Sequence, residues 1–243
     1  MISSLFHTFF YNPLYNALVA LIAFVPGSDV GIAVIVLTIL IRLILLPFSL
    51  SAARTQRSMK ELEPQLKELK EKHKGDKEKE ALETLALYRE AKVNPFSSIV
   101  VALIQIPVLL ALYWVFRYEP FLTVDAARLY SFTPIPHGAT LQFLGLISVA
   151  GKSLILALLA GVTQFFQARA ALSGTMSPAQ GGMQGDFQKV LGAQLTYVFP
   201  FLIGIISYTT SGALALYFIT TNLAGILQEW YVRRSIHKES PAT

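Results

Sequence analysis

The sequence contains no cysteine, which excludes disulfides, thiolate catalysis and cysteine metal sites. Its four histidines, at positions 7, 73, 137 and 237, lie in different segments and lack the spacing of metal ligands. The nucleotide-binding pattern GxxxxGK[ST] is absent. We therefore expect no metal and no other cofactor.

Charged residues are also scarce, and hydrophobic residues are correspondingly frequent. Charged residues make up 14% of the chain, hydrophobic residues make up 53%, and the mean hydropathy is +0.52. Soluble domains carry about 25% charged residues, and several apolar runs here are long enough to cross a bilayer. The composition predicts an all-α, polytopic helical membrane protein.

One apolar run, residues 31–50, contains a single charged residue, Arg42. About 20 helical residues cross the roughly 30 Å hydrocarbon core, so this run is predicted to span the membrane with Arg42 inside it. A guanidinium there costs roughly 2.5–3.5 kcal/mol, and no other charge in the run neutralises it. Two interpretations stay open. The side chain either extends to the nearby interface, or it faces water or a client chain.

The basic residues indicate the topology. Eleven of the 20 lysines and arginines lie in residues 51–94, and none precedes Arg42. The positive-inside rule therefore places residues 51–94 in the cytoplasm and the N-terminus outside. Arg233, Arg234 and Lys238 place the C-terminus inside, which gives five spans.

The cytoplasmic segment is predicted to form a helical hairpin. Its first arm carries an apolar stripe, its second arm carries Leu82, Leu85 and Tyr88, and the stripes are expected to pack together across a turn at residues 74–76. Pro64 should interrupt the first arm. With 11 basic and 9 acidic residues, the hairpin is either a solvated helix surface or a docking site. The first-arm stripe comprises Met59, Leu62, Leu66 and Leu69.

The remaining boundaries follow from apolar runs and turn residues. Residues 1–27, rich in aromatic and polar side chains, suit a helix lying in the interface, although a full span is the alternative. Residues 141–150 are too short to span and are interpreted as an interfacial lead-in. The predicted segments are spans at 28–50, 95–117, 153–170, 191–210 and 212–232, an external loop at 118–152, a cytoplasmic loop at 171–190 and a tail at 233–243.

Polar residues recur in the cytoplasmic halves of the spans. We expect about half of them to form only interhelical hydrogen bonds, worth roughly 0.6 kcal/mol each, and the rest to line a wet groove. Glu229 has no acidic partner in the spans, so paired-carboxylate chemistry is not expected and the chain is predicted not to be an enzyme. The candidate groove residues are Arg42, Gln105, Thr163, Gln164, Gln167, Thr196, Thr220 and Asn222.

Five motifs in this order and topology resemble a known family. They are Arg42 with Pro47, ALYREAKVNPF at the end of the hairpin, LIQIPVLLALYWVF, GVTQFF, and SGALALYFITTNLAGILQEW. Together they resemble the YidC/Oxa1/Alb3 family of membrane protein insertases, in its short five-span bacterial form. The resemblance covers nearly the whole chain.

The resemblance implies a five-helix core around a groove that is open to cytoplasm and lipid and contains Arg42. It also implies a bacterial cytoplasmic membrane protein that inserts and helps fold other membrane proteins, with the hairpin recruiting these clients. Candidate partners are nascent membrane proteins, the Sec translocon, the ribosome, the signal recognition particle pathway and membrane lipids, but not DNA. The alternative function is a small-solute transporter or channel, although no internal repeat is found.

Overall fold

The computed structural model describes residues 2–73, 75–94, 97–118, 124–172, 190 and 192–239. Most of the predicted loop at 171–190, Lys74 of the predicted turn and the last four residues lie outside this set. Helices dominate the described part of the chain, as the composition predicts.

The N-terminal segment is helical from residue 2 to residue 24. Helix α1 (Ile2–Phe6) continues through a π-helical turn (His7–Tyr11) into α2 (Asn12–Phe24). A 3-10 turn at Pro26–Ser28 follows, with Gly27 at φ +68°. Asp29 then caps α3 (Val30–Glu61), because its Oδ1 accepts a hydrogen bond from the Ile32 amide. Helix α2 packs against α3 and against a later helix, α6 (Ser97–Tyr118).

Helix α3 runs without a break from the apolar run into the charged segment. It ends where Leu62 caps it, and Pro64 lies in the first turn of α4 (Glu63–Lys72). Proline removes a backbone hydrogen bond from a helix interior but fits a first turn, and the chain breaks at Leu62, so the predicted interruption at Pro64 is confirmed. The first arm of the hairpin therefore consists of the end of α3 and all of α4.

The second arm is α5 (Lys77–Glu90), capped by Asp76. Helices α4 and α5 contact each other, and His73 Nε2 lies 2.8 Å from Glu83 Oε2. The predicted packing of the second-arm stripe is wrong for Leu82 and Leu85, however, because Leu82 is 62% exposed and Leu85 is 42% exposed. Tyr88 is half-buried as predicted, and Leu87, which lies outside the predicted stripe, is half-buried beside it.

The remaining helices complete a bundle. They are α6 (Ser97–Tyr118), α7 (Leu154–Leu172), α8 (Phe199–Thr210), preceded by a π-helical turn (Gln194–Val198), and α9 (Gly212–Glu239). Helix α9 contacts α3, α6, α7 and α8. Every residue from 211 to 218 is buried, as expected for the central helix. Ser211, which lies between the predicted spans 191–210 and 212–232, separates α8 from α9.

The exterior of the bundle is apolar. Ile44 is 71% exposed, Leu158 is 60% exposed and Phe201 is 69% exposed. Exposed apolar residues in continuous bands mark a surface that meets lipid or another apolar partner. By length and hydropathy, two of the described helices can cross a bilayer, Val30–Glu61 and Leu154–Leu172, and Leu103–Tyr118 is a shorter apolar stretch.

The segment between α6 and α7 closes one end of the bundle, which we call the loop end. It contains a 3-10 turn (Ala126–Arg128) and an antiparallel pair of short strands, β1 (Gln142–Phe143) and β2 (Ile147–Ser148). The sequence predicted an interfacial lead-in for residues 141–150 and did not predict this β-hairpin. The opposite end, which carries α4 and α5, is called the hairpin end.

Candidate functional site

Backbone and capping bonds hold the loop end together. Asp29 is almost fully buried, and while its Oδ1 caps α3, its Oδ2 accepts from the Leu144 amide at 2.7 Å. The Val30 amide donates to the Thr140 carbonyl. The Gly212 and Ala213 amides donate to the carbonyls of residues 151 and 149, so the β-hairpin segment is bonded to the starts of both α3 and α9.

Asn16 on α2 joins the same end to the loop. Its Oδ1 accepts from the Tyr130 amide at 2.7 Å and from Thr133 Oγ1 at 2.8 Å. Its Nδ2 donates to the carbonyls of Asn12 and Arg128. A buried amide that forms four hydrogen bonds fixes the position of the loop over the helix ends.

Arg42 lies on the face of α3 that meets α9. Its Nη2 donates to the Thr221 carbonyl at 2.8 Å. Its Nε is buried and has no hydrogen-bond partner within the described part of the chain. No carboxylate among the described residues forms a salt bridge with Arg42. The guanidinium therefore keeps unused hydrogen-bonding capacity and an uncompensated charge inside the bundle.

Tyr217 connects this arginine to α6. The buried Tyr217 hydroxyl accepts from Gln105 Nε2 at 2.6 Å. Tyr217 precedes Thr221 by four residues, so both lie on one face of α9 and the tyrosine stands one turn from the Arg42 contact. Sequence reasoning missed Tyr217, and no signal in the sequence pairs this tyrosine with Gln105.

Helix α7 joins α9 on the adjacent side. Asn222 Nδ2 donates to Thr163 Oγ1 at 3.2 Å and to the Ala160 carbonyl at 3.4 Å. One turn further along, Gln164 Nε2 donates to Gln167 Oε1 at 3.4 Å. Gln167 lies against Gly225, where an added Cβ would be 3.2 Å from Gln167 Cγ, so the glycine makes room for the amide.

These bonds form a polar seam, which we define as Arg42, Gln105, Thr163, Gln164, Gln167, Tyr217, Thr221 and Asn222. Six of the eight residues predicted for the groove belong to it. Thr196 and Thr220 are half-buried, and no hydrogen bond of either side chain occurs among the described contacts. Towards the hairpin end the seam is extended by Ser49 Oγ, which donates to Gln228 Oε1 at 3.0 Å.

The residues predicted to recruit clients lie beyond the seam, on the hairpin. The first-arm residues Met59, Leu62, Leu66 and Leu69 are half-buried, whereas Leu82 and Leu85 are exposed. Hydrogen bonds from the Lys79 backbone and side chain hold the pKa of the Asp76 carboxyl below its usual value. Partial burial raises the pKa of the Tyr88 hydroxyl. Within the described residues no cluster of histidine, aspartate and glutamate is arranged to hold a metal ion.

Comparison with known proteins identifies the family. Residues 21–239 match the family described as 60Kd inner membrane protein. The membrane protein insertase YidC of Fusobacterium nucleatum is 30% identical over 91% of this chain and 97% of its own length, and that of Clostridium perfringens is 29% identical over 95% and 89%. The insertase of Syntrophobacter fumaroxidans is 32% identical, but the match covers only 34% of its length. The chain therefore belongs to the 60Kd inner membrane protein family, and these relatives in it are membrane protein insertases.

Proposed function

We propose that this chain is a membrane protein insertase, and that the polar seam is the path by which it lowers the cost of moving a client's polar tail into the bilayer. The observation that carries the proposal is Arg42, whose half-buried guanidinium lies between α3 and α9 with its Nε buried and unbonded. A group with unused donors inside an apolar bundle suits a passing polar chain better than a permanent structural bond.

The energetics favour a partial path over a complete pore. Polar groups without partners cost several kcal/mol each in hydrocarbon. A polar path that crosses part of the bilayer shortens the distance that a client tail travels through hydrocarbon, and so lowers the free-energy cost of moving it. The seam extends from Tyr217 on α9 towards the hairpin end, while backbone bonds close the loop end. In the proposed mechanism the tail enters from the hairpin end and the apolar part of the client leaves sideways into lipid.

The proposed topology has five spans, with the loop end outside and the hairpin end in the bacterial cytoplasm. The distribution of basic residues supports this orientation, because 11 of 20 lie in residues 51–94 and none precedes Arg42. The spans are the apolar part of α3, then α6, α7, α8 with its preceding π turn, and α9. The N-terminal helices α1 and α2 are assigned to the outer interface, where Asn16 meets the loop.

The clients are nascent membrane proteins, and the hairpin is proposed to recruit them. Leu82 and Leu85 project an apolar pair from an otherwise charged helix, which supports a docking role for α5. The Sec translocon, the ribosome and the signal recognition particle pathway are proposed as further partners through the family resemblance. No catalytic step is proposed. Burial of the client helix and the membrane potential, about 2.3 kcal/mol per charge per 100 mV, supply the driving force.

The test is insertion of a radiolabelled single-span client into liposomes that contain the purified protein, scored by protease protection of the translocated tail. Two clients are compared, which differ only in an acidic or a neutral tail. We expect Arg42→Ala to reduce insertion of the acidic-tailed client about fivefold, the equivalent of the roughly 1 kcal/mol of a solvated ion pair at 4 Å. The neutral-tailed client should change by less than twofold.

Arg169→Ala is the matched control, because Arg169 is an exposed arginine on α7. It should insert both clients like the wild type. Equal loss of both clients in Arg42→Ala would remove the electrostatic role, and absence of protection above empty liposomes for the wild type would contradict the insertase function itself.

A further inference from the structure

A second polar site lies outside the seam, where α3 passes the end of α5. It is a pocket of about 400 Å³ between one stretch of α3 and the residues that follow the hairpin. Apolar and polar side chains line it in similar proportion, as in sites that hold an amphiphilic ligand. The lining residues are Pro47, Leu50, Ser51, Arg54, Thr55, Ser58, Ala91, Lys92 and Val93.

The charges of this pocket are all of one sign. Arg54 and Lys92 are exposed cations, and no acidic residue lines the pocket. Neither side chain forms an ion pair or a hydrogen bond with any described residue, whereas Lys79 and Arg128 are paired with nearby aspartates. Two unpaired cations from different segments that face one cavity favour an anion.

Hydroxyl groups complete the lining. Ser51, Thr55 and Ser58 follow each other at intervals of four and three, which places them on one face of α3. A phosphate accepts hydrogen bonds from hydroxyl, guanidinium and ammonium groups alike, and arginine matches its planar pairs of oxygens. The pocket thus offers the donor types that a phosphate uses.

The backbone at Lys92 is unusual. Lys92 has φ +53°, in the left-handed region that favours glycine, and the Val93 amide donates to the Tyr88 carbonyl across the turn. Together with the Lys92 amide, which donates to the Arg89 carbonyl, this bond forms the left-handed cap that ends α5. The turn places Lys92 in the lining opposite α3.

We propose that this pocket binds the phosphate of an anionic phospholipid headgroup. Its position supports a lipid, because Pro47 and Leu50 belong to the end of the apolar run, at the expected level of the membrane surface, while Arg54 lies one turn beyond Leu50. The phosphate contacts the cations and hydroxyls, and the upper part of an acyl chain contacts Pro47, Leu50 and Val93. Basic pockets at the cytoplasmic ends of membrane helices recognise such headgroups.

The proposed lipid joins α3 to the end of the hairpin. Since Ala91, Lys92 and Val93 directly follow α5, a headgroup held there sets how α5 and its exposed Leu82 and Leu85 stand above the bilayer. Anionic lipid would therefore order the segment that is proposed to recruit clients. The binding site itself does not depend on the insertase function.

The experiment measures lipid binding to the purified full-length protein by native mass spectrometry, with phosphatidylglycerol and phosphatidylcholine titrated separately. The test variant is Arg54→Gln with Lys92→Gln. Its control is Arg57→Gln with Lys60→Gln, which removes the same charge from α3 at residues outside the pocket lining. We expect the test variant to bind phosphatidylglycerol about tenfold more weakly than the wild type. The control should stay within twofold, and phosphatidylcholine should bind all three proteins equally.

Separate arms identify the source of the phosphate. Inorganic phosphate and soluble glycerol phosphate should compete only at concentrations far above that of the lipid, and equal competition would overturn the assignment to a lipid. If phosphatidylglycerol binding weakens equally in the test and control variants, the proposal of a specific pocket is overturned. Preferential binding of an acidic peptide, with phosphatidylglycerol bound no better than phosphatidylcholine, would also overturn it and assign the pocket to a client tail.

Thermal unfolding in detergent shows whether the variants fold. Because the readout is lipid binding without any client, the lipid site and the insertase function are tested separately in the wild type. A wild type that inserts clients but binds phosphatidylglycerol no better than phosphatidylcholine overturns the lipid site alone. A wild type that prefers phosphatidylglycerol but inserts no client overturns the insertase proposal and supports the site.

Discussion

The loop end and the hairpin end of the bundle are held by different kinds of bond. At the loop end, the Val30, Gly212 and Ala213 amides donate to carbonyls of the connecting segment, and the buried Asn16 and Asp29 add several bonds each. At the seam, single side-chain bonds such as Gln105 to Tyr217 join the helices, and Arg42 keeps an unbonded Nε. The backbone bonds hold the loop end closed, whereas isolated side-chain bonds in the seam can be exchanged for bonds to a client chain.

This contrast leads to a simple expectation. Substitutions at the loop end should mainly lower the free energy of unfolding, and substitutions in the seam should mainly lower activity. A loop-end variant that keeps its stability but loses activity would weaken this division. So would a seam variant that loses stability but keeps its activity.

The largest effect on stability is expected for Asn16→Ala. The variant leaves the Tyr130 amide and Thr133 hydroxyl without their buried acceptor, and each lost partner costs about 1–3 kcal/mol. We expect the free energy of unfolding to fall by about 3 kcal/mol, measured by denaturant titration in detergent. Asn12→Ala is the control, since its backbone carbonyl, not its side chain, forms the bond to Asn16. Equal losses in the two variants would argue against a special role for Asn16.

A somewhat smaller effect is expected for Gly212→Ala. An added Cβ would lie 2.7 Å from the Ser148 carbonyl oxygen and 2.9 Å from Val149 Cα, so the β-hairpin segment must move away from α9. Overpacking of this kind costs typically 1–3 kcal/mol, and we expect about 2 kcal/mol in the same titration. Gly138→Ala has open space around its Cβ and should unfold like the wild type.

The seam should respond in the opposite way to Gln105→Leu. The lost bond to Tyr217 is worth roughly 0.6 kcal/mol, the average for hydrogen bonds between membrane helices, so stability should hardly change. Insertion of a client with a polar tail should nevertheless fall, because an apolar side chain replaces a polar one along the path. Protease protection in liposomes measures the insertion. A variant that loses stability but inserts normally would contradict the division between the two ends.

The smallest effect concerns pH and the hairpin. The Lys79 backbone and side chain lower the pKa of Asp76, so the carboxylate stabilises the folded hairpin above the ordinary aspartate pKa of 3.8. That contribution is lost as the pH falls through the lowered pKa of the folded state. Circular dichroism of the full protein between pH 5 and pH 2 should show a small helix loss at the acid end in the wild type. Asp76→Asn should lack this pH-dependent step.

Particular residues show how much of the structure could be predicted from the sequence. Hydropathy and the position of arginine within an apolar run predicted the helical class, and six of the eight residues predicted for the groove lie in the seam. The proline at position 64 correctly predicted the helix break. These features are local, because they depend on propensity and spacing along a single segment.

The errors have a common cause. Leu82 and Leu85 were predicted to be buried, but both residues are exposed, and the orientation of a helix cannot be deduced from a short stripe. The β-hairpin at residues 142–148 was missed because its strands have two residues each and gain their order from Asp29 and from the start of α9. Tyr217 was missed because a tyrosine in an apolar helix does not by itself reveal a hydrogen-bond partner 112 positions away.

By itself, the sequence determined that this chain is a helical membrane protein with a charged hairpin and an arginine within its first apolar helix, because composition and periodicity act within each segment. The tertiary structure alone decided that α9 is the central helix and that Arg42 bonds to the Thr221 carbonyl. It also decided that the loop end is closed by backbone bonds while the seam is not. These features depend on contacts between residues more than 60 positions apart in most cases, and the rotation of one helix against another determines which of those contacts form.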